Sequence, residues 1–222
     1  MQAMREAPTL RRVKEGYTTR ARQLAARSIV GLARTRVTPN ALTVAGVSLC
    51  STASVLVFFE NRGELLFYWL GAAVFLLGSI FDILDGALAR AGGKATPFGA
   101  FVDSTLDRVG EGLMLGSIGL VFSRHGNEVA LAFAMAAIAG SFLVSYARAR
   151  AEALGFRGDV GIGSRPERVV VITAGLVFAP WGVLPWAIYL LAATAWVTVL
   201  QRILHVRRQL LASGGMNGFD QR

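Results

Sequence analysis

Six apolar stretches that reach or approach the length needed to cross a lipid bilayer, separated by short breaks and one of sixteen residues between the fourth and fifth, leave this chain little choice of architecture. They cover roughly residues 41–59, 65–90, 98–123, 128–150, 167–180 and 183–205. About 20 apolar residues at ~1.5 Å rise each span the ~30 Å hydrocarbon core. Backbone polar groups in lipid must be satisfied within the segment itself, which selects helices. The expected fold class is therefore an all-α integral membrane protein with six transmembrane helices. The fifth stretch reaches span length only if its helix starts at Arg165–Arg168. The breaks carry turn chemistry: Thr38-Pro39-Asn40, Asn61-Arg62-Gly63, Gly92-Gly93-Lys94-Ala95-Thr96-Pro97, Arg124-His125-Gly126-Asn127 and Pro180-Trp181-Gly182. At the first of them proline fixes the turn and Asn40 is the expected helix cap.

Charge orients these spans. The chain has 23 Lys and Arg against 14 Asp and Glu, a net charge of +9. Nine of the cations and two of the acids fall within residues 1–36, where apolar residues such as Leu10, Val13, Tyr17 and Leu24 recur at roughly helical spacing. This segment is expected to be an amphipathic juxtamembrane helix on the cytoplasmic surface, each cation near anionic lipid contributing on the order of 1 kcal/mol. A disordered topogenic tail is the alternative. The amino-terminal segment, the connections after the second and fourth spans and the carboxyl-terminal tail together hold 20 of the 23 cations. The other connections hold only Arg62 and Arg124, and Arg108 lies within the third span. The positive-inside rule then puts both termini and the even-numbered connections in the cytoplasm of a multi-pass cell-membrane protein. The chain divides into a basic cytoplasmic segment (1–36), a six-span domain (37–208) and a polar tail (209–222). Its partners are expected to be lipids rather than nucleic acid.

Four aspartates stand inside these apolar stretches. An ionised group at membrane depth costs at least a few kcal/mol unless it is paired, hydrated or liganded. Asp82 and Asp85 are three apart near the end of the second span, and Asp103 and Asp107 are four apart near the start of the third, so each pair shares a helix face. A short turn joins the two spans. Carboxylates converging in this way repel one another unless cations neutralise them. One cysteine and two histidines exclude a thiolate or imidazole zinc site, and an oxygen-only set selects Mg²⁺ first and Mn²⁺ second, two ions balancing four carboxylates. Mg²⁺ keeps positions open for phosphate, so the expected substrate carries phosphate. Structural pairing with Arg90 and Arg108, or an ion path through a small transporter, would also account for the acids.

The full stretch reads Asp82-x-x-Asp85-Gly86-x-x-Ala89-Arg90, eight residues, then Gly99-x-x-x-Asp103-x-x-x-Asp107. It resembles the signature of the CDP-alcohol phosphotransferases at every fixed position, and the resemblance extends over about residues 30–208. Gly86, Ala89 and Gly99 remove bulk where a nucleotide can lie against the helices, or serve close helix packing. Arg90 can pair with a diphosphate, and Thr96 with the Gly92-Gly93 turn can donate hydrogen bonds. The resemblance implies that Asp82, Asp85 and Asp103 hold metal, with Asp103 shared by two ions. Asp107 would be both ligand and general base. It also implies that Gly86, Arg90 and Thr96 contact the CDP-lipid, together with Thr38, Pro39, Asn40 and Ala41, and that the enzyme is a homodimer. The implied reaction joins an acceptor alcohol to the lipid-side phosphorus of CDP-diacylglycerol and releases CMP.

Five arginines at the facing ends of the fourth and fifth spans and in the connection between them exceed what orientation requires. Arg148 can pair with Glu152 at i,i+4, whereas Arg148 and Arg150 cannot face the same way. A stop-transfer charge cluster is one reading, and a grip on a phosphate that does not leave is the other. The strings Ser145-Tyr-x-x, Ala149-Arg150-Ala-Glu152, Arg157-Gly-Asp159, Arg165-Pro-Glu-Arg168 and Gln201-Arg202 resemble those of actinobacterial family members that make phosphatidylinositol phosphate. That resemblance implies inositol 1-phosphate as the phosphorylated polyol acceptor, bound by Arg150, Arg168 and Arg202, with Arg148 where that group usually has lysine. Glycerol 3-phosphate, which would make the product phosphatidylglycerophosphate, is the other acceptor the strings allow. Gly112 and Gly116 form a G-x-x-x-G on the third span, a signal for close helix contact within the bundle or across a dimer. Trp181, Trp186, Tyr189 and Trp196 are expected to anchor at the membrane interface and pack.

Overall fold

A computed structural model describes residues 38–213 except Lys94, Gly163 and Ser164. The expected amphipathic helix within residues 1–36 and most of the polar tail lie outside these residues. Among the described residues the fold is all-α. Six helices, α1 (Pro39–Phe58), α2 (Glu64–Ala91), α3 (Pro97–Arg124), α4 (Glu128–Ala153), α5 (Arg165–Val177) and α6 (Leu184–Ala212), are joined by short connections that include two 3-10 turns. Each apolar stretch of the sequence lies on one of them. Four helices, α1, α2, α4 and α6, are long and apolar enough to cross a membrane, which makes this a multi-pass membrane protein. Helix α3 has 28 residues, but Asp103, Asp107, Arg108 and Glu111 interrupt its apolar surface. Helix α5 starts at Arg165 and has 13 residues, about 20 Å of helix.

The helix starts follow from their caps. The Thr38 hydroxyl accepts from the Ala41 amide at 3.3 Å, Thr96 does the same for Gly99 at 3.0 Å, and the Asn127 side chain accepts from Ala130 at 3.0 Å. Thr38, not Asn40, therefore caps α1. Pro39 occupies the first helical position, where its missing N–H costs nothing, and the capping residue must precede it. Pro97 after Thr96 repeats the arrangement at α3. Gly93, at φ 62°, makes the left-handed turn between α2 and α3 that other residues resist.

Helix α1 packs along both α2 and α3 and bridges them, α4 packs on α3 and α6, and α5 fills the space between α2 and α6. The core runs through Val57, Phe75, Met114, Ile118, Leu176 and Ile188. Helices α1 and α2 approach closely at Gly46 and Gly78. A Cβ on Gly78 would lie 2.8 Å from the Gly46 carbonyl and 3.1 Å from the Cys50 amide, so α1 and α2 meet backbone to backbone one turn before Asp82. Gly112, by contrast, faces only the Phe142 ring among the described residues, and a Cβ on Gly116 would have none of them within 4 Å. Trp181 and Trp186 are exposed, Trp196 donates to the Ala136 carbonyl at 3.0 Å, and Tyr189 packs on Phe133 and Trp186. At the end of the bundle remote from the aspartates, buried Glu60 accepts from Arg124 at 2.9 Å and ties the α1–α2 connection to the end of α3.

Candidate active site

The turn at Gly92-Gly93 and the bridging by α1 bring the two aspartate pairs together. One oxygen from each of Asp82, Asp85 and Asp103 lies within 4.8 Å of the others. Asp85 is 2% exposed, and Thr43 of α1 donates to its Oδ2 at 2.5 Å. Its Oδ1 is buried without a hydrogen-bond partner, as are Oδ1 of Asp103 and Oδ1 of Asp107. Buried carboxylate oxygens that meet other carboxylates and no donor are what a divalent cation satisfies, and oxygen ligands of this kind suit a hard ion. The residues fit a metal centre.

Asp107 sits one turn further along α3, beside arginine. Arg165, the first residue of α5, forms ion pairs with Asp82 and with Asp107, the latter at 2.6 Å. Arg108 Nη1 is 3.9 Å from Asp107, and its guanidinium also donates to the Ser104 carbonyl. Arg90 folds back over Gly86, its Nη1 3.3 Å from where a Cβ would stand. The alternative of structural pairing thus holds in part for Arg108 and not in this geometry for Arg90.

Two cavities flank the carboxylates. On one side a volume of about 140 Å³ is lined by Pro39, Asn40, Thr43, Asp85, Gly86, Arg90, Thr96, Gly99 and Asp103, among others. Five of the seven residues expected to contact the CDP-lipid lie here. Thr38 is the cap immediately before this wall and Ala41 is exposed. Gly86 and Gly99 both face the opening; a Cβ on Gly99 would crowd the Thr96 hydroxyl at 3.0 Å.

On the other side a cavity of about 320 Å³ is lined by Asp107, Arg108, Glu111, Ser145, Arg148, Arg165, Arg168 and Arg202, with parts of 159–166. Three of the four expected acceptor residues, Arg148, Arg168 and Arg202, are here. Arg148 also pairs with Glu152 at 2.8 Å, the i,i+4 contact read from the sequence. Arg202 donates to the carbonyls of Val144 and Val160 and so holds α4 and the following loop to α6. Arg168 donates to both oxygens of Glu111, which also accepts from Ser141 at 2.8 Å. Arg150 is apart from them, lining a groove between the ends of α4 and α6. Residues two apart on a helix point about 200° from each other, and Arg148 takes the inward direction.

Thr43, Glu111 and Arg165 also belong to the site, beyond the residues that the sequence motifs mark. Glu111 is four residues after Asp107 and Arg165 three before Arg168, so helical spacing alone puts each on the face of a nominated residue. Nothing local in the sequence marks Thr43, whose role depends on the contact between α1 and α2.

With this geometry in hand, comparison with known proteins is direct. Residues 36–201 match the CDP-alcohol phosphatidyltransferase family. The phosphatidylinositol phosphate synthase of Mycobacterium marinum is 39% identical over 184 residues, covering 79% of this chain and 76% of that one. The archaetidylinositol phosphate synthase of Pyrococcus horikoshii is 34% identical, covering 81% and 88%. The crystal structure of Mycobacterium tuberculosis phosphatidylinositol phosphate synthase with CDP-DAG bound superposes with a TM-score of 0.72 at 29% identity, over 83% of this chain and 94% of that one. The same enzyme in complex with manganese and citrate gives a TM-score of 0.72 at 30% identity, over 82% and 88%. Sequence, fold and site agree: the chain belongs to the CDP-alcohol phosphatidyltransferase family.

Proposed function

We propose that this protein transfers the phosphatidyl group of CDP-diacylglycerol to inositol 1-phosphate, giving phosphatidylinositol phosphate and CMP. The observation that carries this reading is the placement of the carboxylates between two different cavities. One offers small residues, Thr96 and Arg90 to a nucleoside diphosphate; the other offers Arg148, Arg168 and Arg202 to a phosphate. The crystal structure of a relative with CDP-DAG bound supports CDP-diacylglycerol as the donor substrate. Relatives from a bacterium and an archaeon, both named as inositol phosphate lipid synthases, support inositol 1-phosphate over glycerol 3-phosphate.

In this reading Asp82, Asp85 and Asp103 hold divalent metal, Mg²⁺ by preference and Mn²⁺ in its place, as two ions with Asp107 completing the set. When bound, the metal neutralises the diphosphate and its leaving oxygen. The protein does the rest by position. Gly86 and Gly99 let the nucleotide lie against α2 and α3, the Thr38–Ala41 turn borders it, and Arg90 pairs with diphosphate charge. Arg148, Arg168 and Arg202 hold the phosphate of the acceptor so that its free hydroxyl meets Asp107. Asp107 takes that hydroxyl's proton as the oxygen attacks the lipid-side phosphorus. The phosphorus–oxygen bond to the CMP phosphate then breaks and CMP departs. Arg165, paired with Asp82 and Asp107 in the structure, lines the acceptor cavity beside Asp107.

The same proposal has six spans, α3 crossing among the four more apolar helices and α5 doing so together with the Ala179–Trp181 turn that follows it, with both termini and the active site on the cytoplasmic face of the cell membrane. The basic segment 1–36 lies on that face, 37–208 form the catalytic domain of a homodimer and 209–222 the tail. The test is CMP release from CDP-diacylglycerol with Mg²⁺, run in parallel with inositol 1-phosphate, inositol, glycerol 3-phosphate and serine. Release with inositol 1-phosphate alone is expected. Release with glycerol 3-phosphate instead would reassign the acceptor, and release with none would remove the reaction.

A further inference from the structure

Arg150 was nominated by the sequence and is left over by the acceptor cavity. It lines a separate groove of about 450 Å³ between the carboxyl-terminal ends of α4 and α6, within the ~300–1,000 Å³ of small-ligand sites. The floor is apolar, with Leu143 and Ala147 from α4 facing Val199 and Ile203 from α6. Three arginines and no acid line it. Arg202 donates to the Val144 and Val160 carbonyls and also lines the acceptor cavity, whereas Arg150 and Arg207 are exposed and form no salt bridge among the described residues. Both walls belong to helices long and apolar enough to cross a membrane, so the groove opens toward lipid, with its cations at the end where the bundle meets polar surroundings.

We propose that this groove binds one anionic phospholipid, its phosphate held between Arg150 and Arg207 and an acyl chain laid along Leu143, Val199 and Ile203. Charge selects this occupant. The amino-terminal segment of the same chain, with nine cations and two acids in 36 residues, is repelled by an arginine-rimmed groove. A second copy docking here about a twofold axis would bring two arginine pairs together. A phospholipid with net negative charge satisfies both the apolar floor and the cationic rim, and forked guanidinium donors suit a phosphate. The site is distinct from the acceptor cavity: the two linings have Arg202 in common, whereas Arg150 and Arg207 line the groove alone.

The experiment is native mass spectrometry of the full-length protein, released from micelles containing equal amounts of phosphatidylglycerol and phosphatidylcholine with the same acyl chains. The wild type is expected to retain phosphatidylglycerol in preference, and R150Q/R207Q to retain roughly tenfold less of it or lower still, two cations being lost near an anionic headgroup. R11Q/R12Q removes the same charge from the amino-terminal segment and is expected to bind as the wild type does. Thermal unfolding confirms that the groove variant is folded, and the single variant R207Q, expected to lose several-fold, carries the test if the double variant is not. Equal retention of the two lipids by the wild type would overturn the site. So would undiminished retention by R207Q or R150Q/R207Q, or an equal loss in R11Q/R12Q, which would mean diffuse attraction to a basic protein.

Discussion

Arg168 of α5 grips Glu111 of α3 with two parallel hydrogen bonds, Nε to Oε1 at 2.6 Å and Nη2 to Oε2 at 3.0 Å, and both side chains are about nine-tenths buried. The pair does more than neutralise charge. Helix α5 is short and its first residue, Arg165, must reach Asp107, so the Glu111–Arg168 fork sets where that helix begins relative to α3. Ser141 of α4 completes the arrangement by donating to Glu111. Removing one partner of a buried ion pair leaves the other charge uncompensated, at a cost of about 3–5 kcal/mol. Glu111→Ala is therefore expected to lower the thermal unfolding midpoint markedly. Glu111→Gln, which keeps the shape and the contact with Ser141, is expected to fall between the two. An unchanged midpoint in Glu111→Ala would show that the fork does not hold α5 in place.

Two glycines on α2, eight residues apart, are expected to fail in different ways. A methyl group on Gly78 meets backbone of α1 at 2.8 and 3.1 Å, so Gly78→Ala must push α1 away from α2. Overpacking of this kind costs about 1–3 kcal/mol, and it would also pull Thr43 from Asp85. A methyl on Gly86 meets only the mobile end of Arg90 at 3.3 Å and projects into the nucleotide-side cavity. Gly86→Ala should leave the unfolding midpoint near wild type and raise the KM for CDP-diacylglycerol several-fold. Thermal scans and steady-state kinetics on both variants separate the effects; a destabilised Gly86→Ala with normal KM would reverse the assignment.

The contrast shows what the sequence made legible. The motif glycines and aspartates were readable because helical periodicity converts spacing into a shared face, and the apolar stretches were readable because lipid demands a minimum length. The Gly46–Gly78 contact was not, because two glycines 32 residues apart carry no local signal, whereas the visible G-x-x-x-G at Gly112 and Gly116 meets only one aromatic ring among the described residues. For the same reason the sequence presents the arginines around the α4–α5 connection as a cluster without sorting them. Arg148 and Arg150 were known to diverge, yet only the packing of α4 on α6 decides which of them faces the cavity.

Thr43 should tune metal affinity without touching metal. Its hydroxyl holds Asp85 Oδ2 at 2.5 Å and leaves Oδ1 free toward the other carboxylates. Removing such an orienting partner typically costs about 10–100-fold in metal affinity. Thr43→Val, close in volume but unable to donate, is expected to weaken Mn²⁺ binding by about that factor in calorimetry or electron paramagnetic resonance titration. Activity in that variant should recover as Mg²⁺ is raised, and chelation with EDTA should abolish CMP release in the wild type until Mg²⁺ or Mn²⁺ is restored. Unaltered Mn²⁺ affinity in Thr43→Val would leave the hydrogen bond with a packing role alone.

The two cavities also make separable predictions for the two substrates. Arg148 is more than half exposed and its pair with Glu152 is a surface contact worth at most about 1 kcal/mol, so Arg148→Gln should not disturb the fold. If it grips the acceptor phosphate, losing a charged hydrogen bond of about 1.5–3 kcal/mol should raise the KM for inositol 1-phosphate by roughly tenfold or more. The KM for CDP-diacylglycerol should stay where it was. Asp107→Asn is the complementary case. It lies at the wall of the acceptor cavity, one turn beyond the Asp82–Asp85–Asp103 cluster, and an amide cannot take the hydroxyl proton. That variant should bind CDP-diacylglycerol nearly as the wild type does and release no CMP. Substantial turnover in Asp107→Asn would remove it as the base, and a matching rise in both KM values for Arg148→Gln would show that the two cavities are not the separate substrate sites their linings suggest.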